Sequence, residues 1–527
     1  MAASNRTSAS LAQARASFRK GRLDLAERGC RSILQQSPND VDALHLLGLV
    51  HASRSDWKNS LPLLERALRL HPANAVAWND FGKILLNLNQ IDAALDSFGN
   101  ATRLNADLAE AYVNRGNALL WPGRRLDSDT FEAALADFER ALGLGAASPV
   151  LAYNRANVLA ELGRFEEALA GYDAARTRFG ASFDYHYNRA GTLQRMERFD
   201  EALQHYDAAL KLRPKLDVVR TSRAALLLRL GQFEEGWREH EWRRRGIQAA
   251  KAPAGVTDWD GQISPGMPLL FQSEQGLGDT IQFARFAQQV AKAGADVTLE
   301  IRPELVRLMR TLEGVKIVAR GQAGKNFAGS IPLMSLPVRL GIGLPPKQTA
   351  YLSAEPERVA QLAQQLSAAP FRIGIAWQGN PLNSLDRGRS LPLTAFLPLA
   401  DIPGVRLFSL QKNAGSEQLV DALGGIISPI DGLDAGPDAF VDTAAAMANL
   451  DLVITSDTAI AHLAGALGRP VWIVLQRLPD WRWMVDRTDS PWYPTARLFR
   501  QERRNDWSGP FKQIEAALRG LLPPRLP

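Results

Sequence analysis

The chain has 527 residues, too many for one ordinary domain and suited to two or three. Hydrophobic residues make up 46% and charged residues 22%, a soluble globular balance that excludes a disordered or fibrous protein. One cysteine, Cys30, excludes an internal disulfide framework and fits a reducing cytosol. The net charge of +6 is spread over Lys and Arg mixed with Asp and Glu, so it permits anionic partners without demanding nucleic acid.

The first residues, MAASNRTSASLAQ, hold no apolar run long enough for a signal peptide. No stretch of about 18 apolar residues occurs, so no membrane span is expected and a cytoplasmic location is. From here a small residue recurs. Gly48, Gly82 and Gly116 are 34 apart, as are Ala156, Ala190 and Ala224. The step from Gly116 to Ala156 is 40, an insertion of about one turn near Trp121-Pro122-Gly123, and counting back from Gly48 gives Ala14. Seven such positions predict seven helical hairpins over 1–246. The period and the small residues at helix crossings are those of tetratricopeptide repeats (TPR), which stack into a superhelix. Cys30 falls inside this array and reads as a small core residue. On the first helices, Asn79, Asn114, Asn154 and Asn188 lie two or three residues before the small position. An amide both donates and accepts, so these asparagines either hold a peptide backbone in the groove or bridge neighbouring repeats. Repeats of this kind bind proteins and do not catalyse, so any chemistry is expected further on.

Residues 247–267 lack periodicity and read as a linker, with Trp259 as its anchor. Strand and helix alternation then begins. The segment 268–355 reads as one Rossmann-like half. Leu269-Leu270-Phe271 is a strand, Gln275-Gly276-Leu277-Gly278-Asp279 a glycine turn, and 280–293 a helix. Asp279 at that helix N-terminus is at least a capping residue. Glu274 is a second carboxylate beside it. The Gly- and Pro-rich stretch 325–346 reads as a loop.

A second Rossmann-like half is expected over 356–505. Its first strand, Phe371 to Trp377, leads into the polar, basic loop Asn383 to Ser390, where Arg387 and Arg389 suit a diphosphate, although a solvated loop is an equal reading. Lys412 follows the strand at Val405 and points to the same crevice. The most informative stretch is LDLVITSDTAIAHLAGALGRPVWIV, from Leu450 to Val474. It reads strand, turn, helix, strand. That places Asp457, Thr458 and the N–H groups of Ala459 and Ile460 where an open α/β sheet binds phosphate or nucleotide, with His462 one turn further on. The aromatic run from Pro479 to Pro494 reads as a ligand wall, or as a seam holding the last helix in 506–527. No metal-ligand spacing, Walker loop or Gly-x-Ser-x-Gly is present.

Asp-Thr-x-x-x-His-Leu-Ala-x-Ala-Leu-Gly-x-Pro, starting at Asp457, resembles the nucleotide-sugar site of heptosyltransferase-type (family 9) glycosyltransferases. A related arrangement occurs in the O-GlcNAc transferases. The chain thus resembles bacterial proteins that join TPR repeats to such a domain. The resemblance implies a GT-B fold and metal-independent, inverting sugar transfer. The acceptor would be a protein hydroxyl recruited by the repeats, and no cofactor beyond the nucleotide-sugar substrate would be needed. It makes Asp279 the general base, with Glu274 in reserve, and assigns Gly276, Gly278, Arg389, Lys412, Asp457, Thr458, Ala459 and His462 to the donor. The family often has glycine where Ala459 stands, which tightens the approach to phosphate here. Two alternatives stay open: a TPR scaffold whose GT-B domain is degenerate and does not turn over, and a transferase acting on a glycan or lipid.

Overall fold

The computed structural model describes residues 2–124, 126–246, 252–344, 350–366, 370–381, 388–419 and 425–522. It divides into two compact units, 1–213 and 214–527. The division falls before the last helical hairpin.

The first unit is all helical. Its hairpins pair α1 (Ala2–Arg19) with α2 (Leu23–Gln36), α3 (Val41–Ser53) with α4 (Trp57–Leu70), and α5 (Ala75–Asn87) with α6 (Ile91–Leu104). They continue as α7 (Ala109–Leu119) with α8 (Ser128–Gly143), α9 (Pro149–Glu161) with α10 (Phe165–Phe179), and α11 (Phe183–Arg195) with α12 (Phe199–Leu212). The first helices start where the repeat supplies a cap. Asp40, Asn74, Ser148 and Ser182 each accept the N–H three residues on, which removes an orphan donor. The small positions are buried helix crossings. A Cβ at Gly48 would lie 2.0 Å from Leu64, and one at Gly82 or Gly116 would lie 2.6 Å from Phe98 or Phe138. Each partner ring is fully buried, worth roughly 2–3 kcal/mol. The extra residues of the fourth repeat lengthen the connection between Leu119 and Ser128. Cys30 is buried, and burial pushes its thiol up to about 11.

The second unit opens with α13 (Asp217–Arg229) and α14 (Phe233–His240), followed by a 3-10 turn, Glu241–Arg245. Two parallel sheets follow. In the first, β1 (Pro268–Gln272), β2 (Asp296–Ile301), β3 (Val315–Ala319) and β4 (Gly329–Pro332) stand in the order β3-β2-β1-β4. In the second, β5 (Phe371–Ala376), β6 (Val405–Ser409), β7 (Ile427–Ser428), β8 (Leu452–Ser456), β9 (Val471–Leu475) and β10 (Ala496–Arg500) stand in the order β10-β9-β8-β5-β6-β7. All pairings between these strands are parallel. The central strands are nearly continuous apolar runs because both faces are covered. Strand order therefore reverses between β1 and β4 in one sheet and between β5 and β8 in the other. In doubly wound sheets, ligands sit at such reversals, beyond the carboxyl ends of the strands.

The stretch 325–346, expected as a loop, supplies β4. This strand is short and fully buried, and Pro332 closes it where no further ladder N–H is needed. Trp259 is buried on Phe271, its ring N–H donates to the Gln262 carbonyl (2.7 Å), and its backbone N–H donates to Ser330 of β4. The last helix, Ser508–Leu521, packs through Phe511, Ile514 and Leu518 beside Phe396 and Trp377. The aromatic run 479–494 lies instead in the other core cluster, with Trp237 and Phe283.

Candidate functional site

Both sequence motifs lie at the strand-order reversals. Beyond β1 the chain turns through Gln275, at φ +57°, into α15 (Leu277–Lys292). Asp279 sits in the first turn of α15, where its Oδ2 accepts the Gly276 N–H at 2.8 Å. Beyond β8, Asp457 and Thr458 precede the helix Ala459–Ala466, which no side chain caps. The two helix starts touch. A Cβ at Gly278 would lie 2.9 Å from His462 Cδ2 and 3.3 Å from the Ala459 Cα, so glycine is what lets the two motifs meet. Gly278→Ala is expected to destabilise the second unit by about 1–3 kcal/mol through overpacking, read from its thermal unfolding.

A buried charge cluster lies at this junction. Arg482, on the 3-10 turn Trp481–Trp483, donates to Asp279, to Asp480 Oδ1 (2.8 Å) and to Gln282 Oε1 (2.5 Å), and lies 4.3 Å from the Trp481 ring centroid. Burial works against its charge, but Asp480 and Asp279 outweigh that and raise its pKa. Burial likewise works against the Asp480 carboxylate, and Arg482 holds it below the usual range. Asp457 is 5% exposed, and burial pushes its carboxyl up against the pull of Arg389. The Ser456 hydroxyl and Arg389 Nε are buried without a hydrogen-bond partner, while the Trp483 ring N–H faces the Asp457 carboxylate. Met484, at φ +53° and ψ −167°, closes the turn in a conformation that favours glycine.

His462 is sealed in. Its Nδ1 bonds Tyr493 Oη at 2.9 Å and its ring stacks on Trp483, centroids 5.5 Å apart. Burial, with Arg482 nearby, depresses its pKa well below 6.5, so it is neutral at pH 7. His240 of α14 is depressed in the same direction by burial, with Arg243 and Arg482 nearby. Above pH 6.5 neither histidine affects stability. Below 6.5 the unfolded chain takes up protons that the folded chain refuses, at about 1.4 kcal/mol per histidine per pH unit. Asp457 acts oppositely, since its raised carboxyl takes up its proton first in the folded state. The expected loss from pH 7.5 to 5.5 is about 3 kcal/mol less that return, and His462→Asn removes about half of the histidine share. Tryptophan fluorescence measures it, because only Trp57, Trp78 and Trp121 of the twelve tryptophans lie outside the second unit.

The structure thus brings Gly276, Gly278, Asp279, Arg389, Asp457, Thr458, Ala459 and His462 to one junction. Lys412 is exposed beyond β6. The neighbouring Gln411 holds that end, accepting from the Trp377 and Gln378 N–H groups at 2.9 and 3.0 Å. Arg387 lies outside the described residues. Glu274 is withdrawn as a reserve base, since it is buried, paired with Arg243 and bonded to the Met334 N–H. Arg482, Asp480 and Gln282 were missed. The available signal was one arginine between two tryptophans in Asp480-Trp481-Arg482-Trp483, a charge bound to be buried and paired.

In the first unit the asparagines bridge repeats. Asn114 donates to Asn79 (2.9 Å), Asn154 to Asn117 (2.8 Å), and Asn188 to Tyr153 (2.8 Å) and Asn157 (3.0 Å). Asn79 is 1% exposed and is corrected from a groove residue to a buried one. Among the described residues, no group of three or more His, Cys, Asp or Glu is placed to hold a metal, and no helix is long and apolar enough to cross a membrane.

Tetratricopeptide repeat patterns match residues 11–75, 63–96, 124–183 and 183–216. Residues 11–216 are a tetratricopeptide repeat domain. The chain is 28% identical over 538 residues to Protein FlbA of Caulobacter vibrioides, covering 96% of this chain and 77% of FlbA. It is 29% identical over 142 residues to the mouse Protein O-mannosyl-transferase TMTC1, which covers 26% of this chain and only 14% of the mouse protein. Among solved structures, Pseudomonas aeruginosa pilF is 19% identical, covering 41% of this chain and 95% of that one with a TM-score of 0.36. YrrB, described as a TPR protein with an unusual peptide-binding site, is 20% identical, covering 37% of this chain and 97% of that one with a TM-score of 0.33.

Proposed function

We propose that the repeats bind a protein and that the second unit, a GT-B-type pair of Rossmann-like halves, binds a nucleotide-sugar and transfers its sugar to a hydroxyl of that protein. The observation that supports this reading is the meeting of Gly278 with His462 and Ala459, which brings the loops at the strand-order reversals of both sheets together, where such sheets bind ligands. The uncapped helix start at Thr458 and Ala459 offers N–H groups and a positive dipole end to a diphosphate. Arg389 adds a fixed charge, which stabilises a departing nucleoside diphosphate where no metal serves. The orphaned Ser456 hydroxyl is costly in a buried site and suits a hydroxyl of a bound sugar or ribose. Asp279 is the base, across the cleft from the donor. Asn114, Asn154 and Asn188 donate to neighbouring repeats but are only partly buried, so their remaining polar atoms are available to the bound protein.

The chemistry divides this from a second reading, a protein-interaction scaffold whose second unit binds without turnover. The observation in its favour is that both Asp279 oxygens are engaged, by Gly276 and Arg482. Chromatography of the full chain incubated with UDP-, GDP- and ADP-sugars separates them. Release of nucleoside diphosphate together with a sugar-mass increase on a protein supports transfer. Binding without release supports the scaffold. Neither binding nor release with any donor rejects the nucleotide-sugar cleft.

A further inference from the structure

The hairpin α13–α14 carries the repeat pattern through Ala224 and Gly236, yet it belongs to the second unit. Some of its polar contacts go elsewhere, such as Trp237 Nε1 to the Gly343 carbonyl (3.0 Å) and Arg244 to Asp258, but two buried arginines reach the two loops of the junction. Arg229, in the last turn of α13, is buried and directs Nε (3.2 Å) and Nη2 (2.8 Å) at the Pro479 carbonyl. Pro479 begins the loop that presents Asp480, Arg482 and Trp483. At the other end of that loop, Met484 Cε lies 3.1 Å from where a Cβ on Gly231 would stand, in the turn between α13 and α14. Trp237 of α14 meets Trp481 edge-on, centroids 5.2 Å apart, and Phe283 of α15 at 5.9 Å. The 3-10 turn after α14 then reaches the other loop. Arg243 donates to Glu274, two residues before Gly276, and to Ser335 Oγ at 2.9 Å.

A hairpin needed only for packing has no use for these groups. Buried ion pairs are often replaced, all members together, by apolar side chains of similar volume at no loss of stability. What a directional bond adds is a fixed position for the loop that accepts it.

We propose that this hairpin is a working part of the cleft, in which Arg229 is the positioning residue for Arg482 and Arg243 is the positioning residue for Asp279. The inference rests on the nucleotide-sugar reading for the reaction these loops serve. The partner repeat and the cleft are then one mechanical piece, so the loops are set by the last repeat and not by the α/β halves alone.

Hydrogen–deuterium exchange on the full-length chain tests it without any donor. In Arg229→Met, amides of 480–486 are expected to exchange about tenfold faster, with β8 and β9 unchanged, because opening is local. Arg229→Lys, which still donates, recovers most of that protection. Arg243→Met combined with Glu274→Gln, which leaves no lone buried charge, is expected to do the same to 273–280. In the turnover assay, displaced loops lower kcat by about tenfold to a hundredfold with the donor KM little changed. Exchange unchanged in the loops, or raised evenly through the whole unit, overturns the inference. A wild-type chain that neither binds nor turns over any nucleotide-sugar overturns the proposed function instead, and the exchange result still decides whether the hairpin fixes the loops.

Discussion

Replacing Arg482 by methionine is expected to cost the second unit about 3–5 kcal/mol, the range for breaking a buried ion pair from one side. Arg482 is 7% exposed and serves three acceptors, Asp279, Asp480 and Gln282. Methionine replaces the stem but leaves Asp480 buried without the guanidinium that bonds it, with only Arg229 nearby. Lysine keeps the charge yet cannot fork between the carboxylates, so Arg482→Lys is expected to fall between the two. Adding Asp480→Asn to Arg482→Met removes the stranded charge and is expected to recover part of the loss. Urea unfolding followed by tryptophan fluorescence reads each step. A loss below about 1 kcal/mol for Arg482→Met is the value of an exposed pair and would mean that solvent screens this cluster.

The second large effect concerns chemistry. Asp279→Asn is expected to lower sugar transfer by about 10²–10⁴-fold, the usual contribution of a positioned base. The amide oxygen still accepts the Gly276 N–H, so the start of α15 survives, and donor affinity is expected to change by less than about threefold. Steady-state release of nucleoside diphosphate, measured beside a donor titration, separates the two quantities. Transfer that survives the substitution removes Asp279 from the mechanism. Glu274→Gln is the contrasting case, because Glu274 holds Arg243 and the Met334 N–H, so its loss is expected to appear in stability as well as in turnover.

The repeats were readable because each hairpin is closed by near neighbours. Gly48 meets Leu64 sixteen residues on, Gly82 meets Phe98 at the same offset, and the period records both contacts. The central strands were readable because strands buried on both faces are apolar throughout, as Leu452-Val453-Ile454 and Val471 to Leu475 show. Three strands failed that test. β7 is only two residues, Ile427-Ser428. β4 is four residues long and ends in proline, and β10 is an edge strand on which Arg497 and Arg500 dilute the apolar signal. The turn after β1 was visible because a cap and a glycine are local features, and the turn after β8 because a run of small polar residues, Thr455 to Thr458, separates strand from helix. Arg482 was not, since its bond to Asp279 spans 203 residues of chain. The sealing of His462 was hidden for the same reason, depending on Tyr493 and Trp483.

The most direct measurement is a calorimetric titration of UDP-, GDP- and ADP-sugars into the full-length chain and into Ala459→Pro. Proline is tolerated at the first position of a helix, and Thr458 at φ −136° and ψ 178° already has the extended backbone that a following proline requires. The substitution therefore keeps the helix Ala459–Ala466 and deletes one N–H from its start. The expected result is saturable binding of one nucleotide class to the wild type, weakened about tenfold, or ~1.4 kcal/mol, in Ala459→Pro with its unfolding temperature little changed. Binding of equal strength in both proteins, or no binding by the wild type, contradicts a diphosphate site at the end of β8.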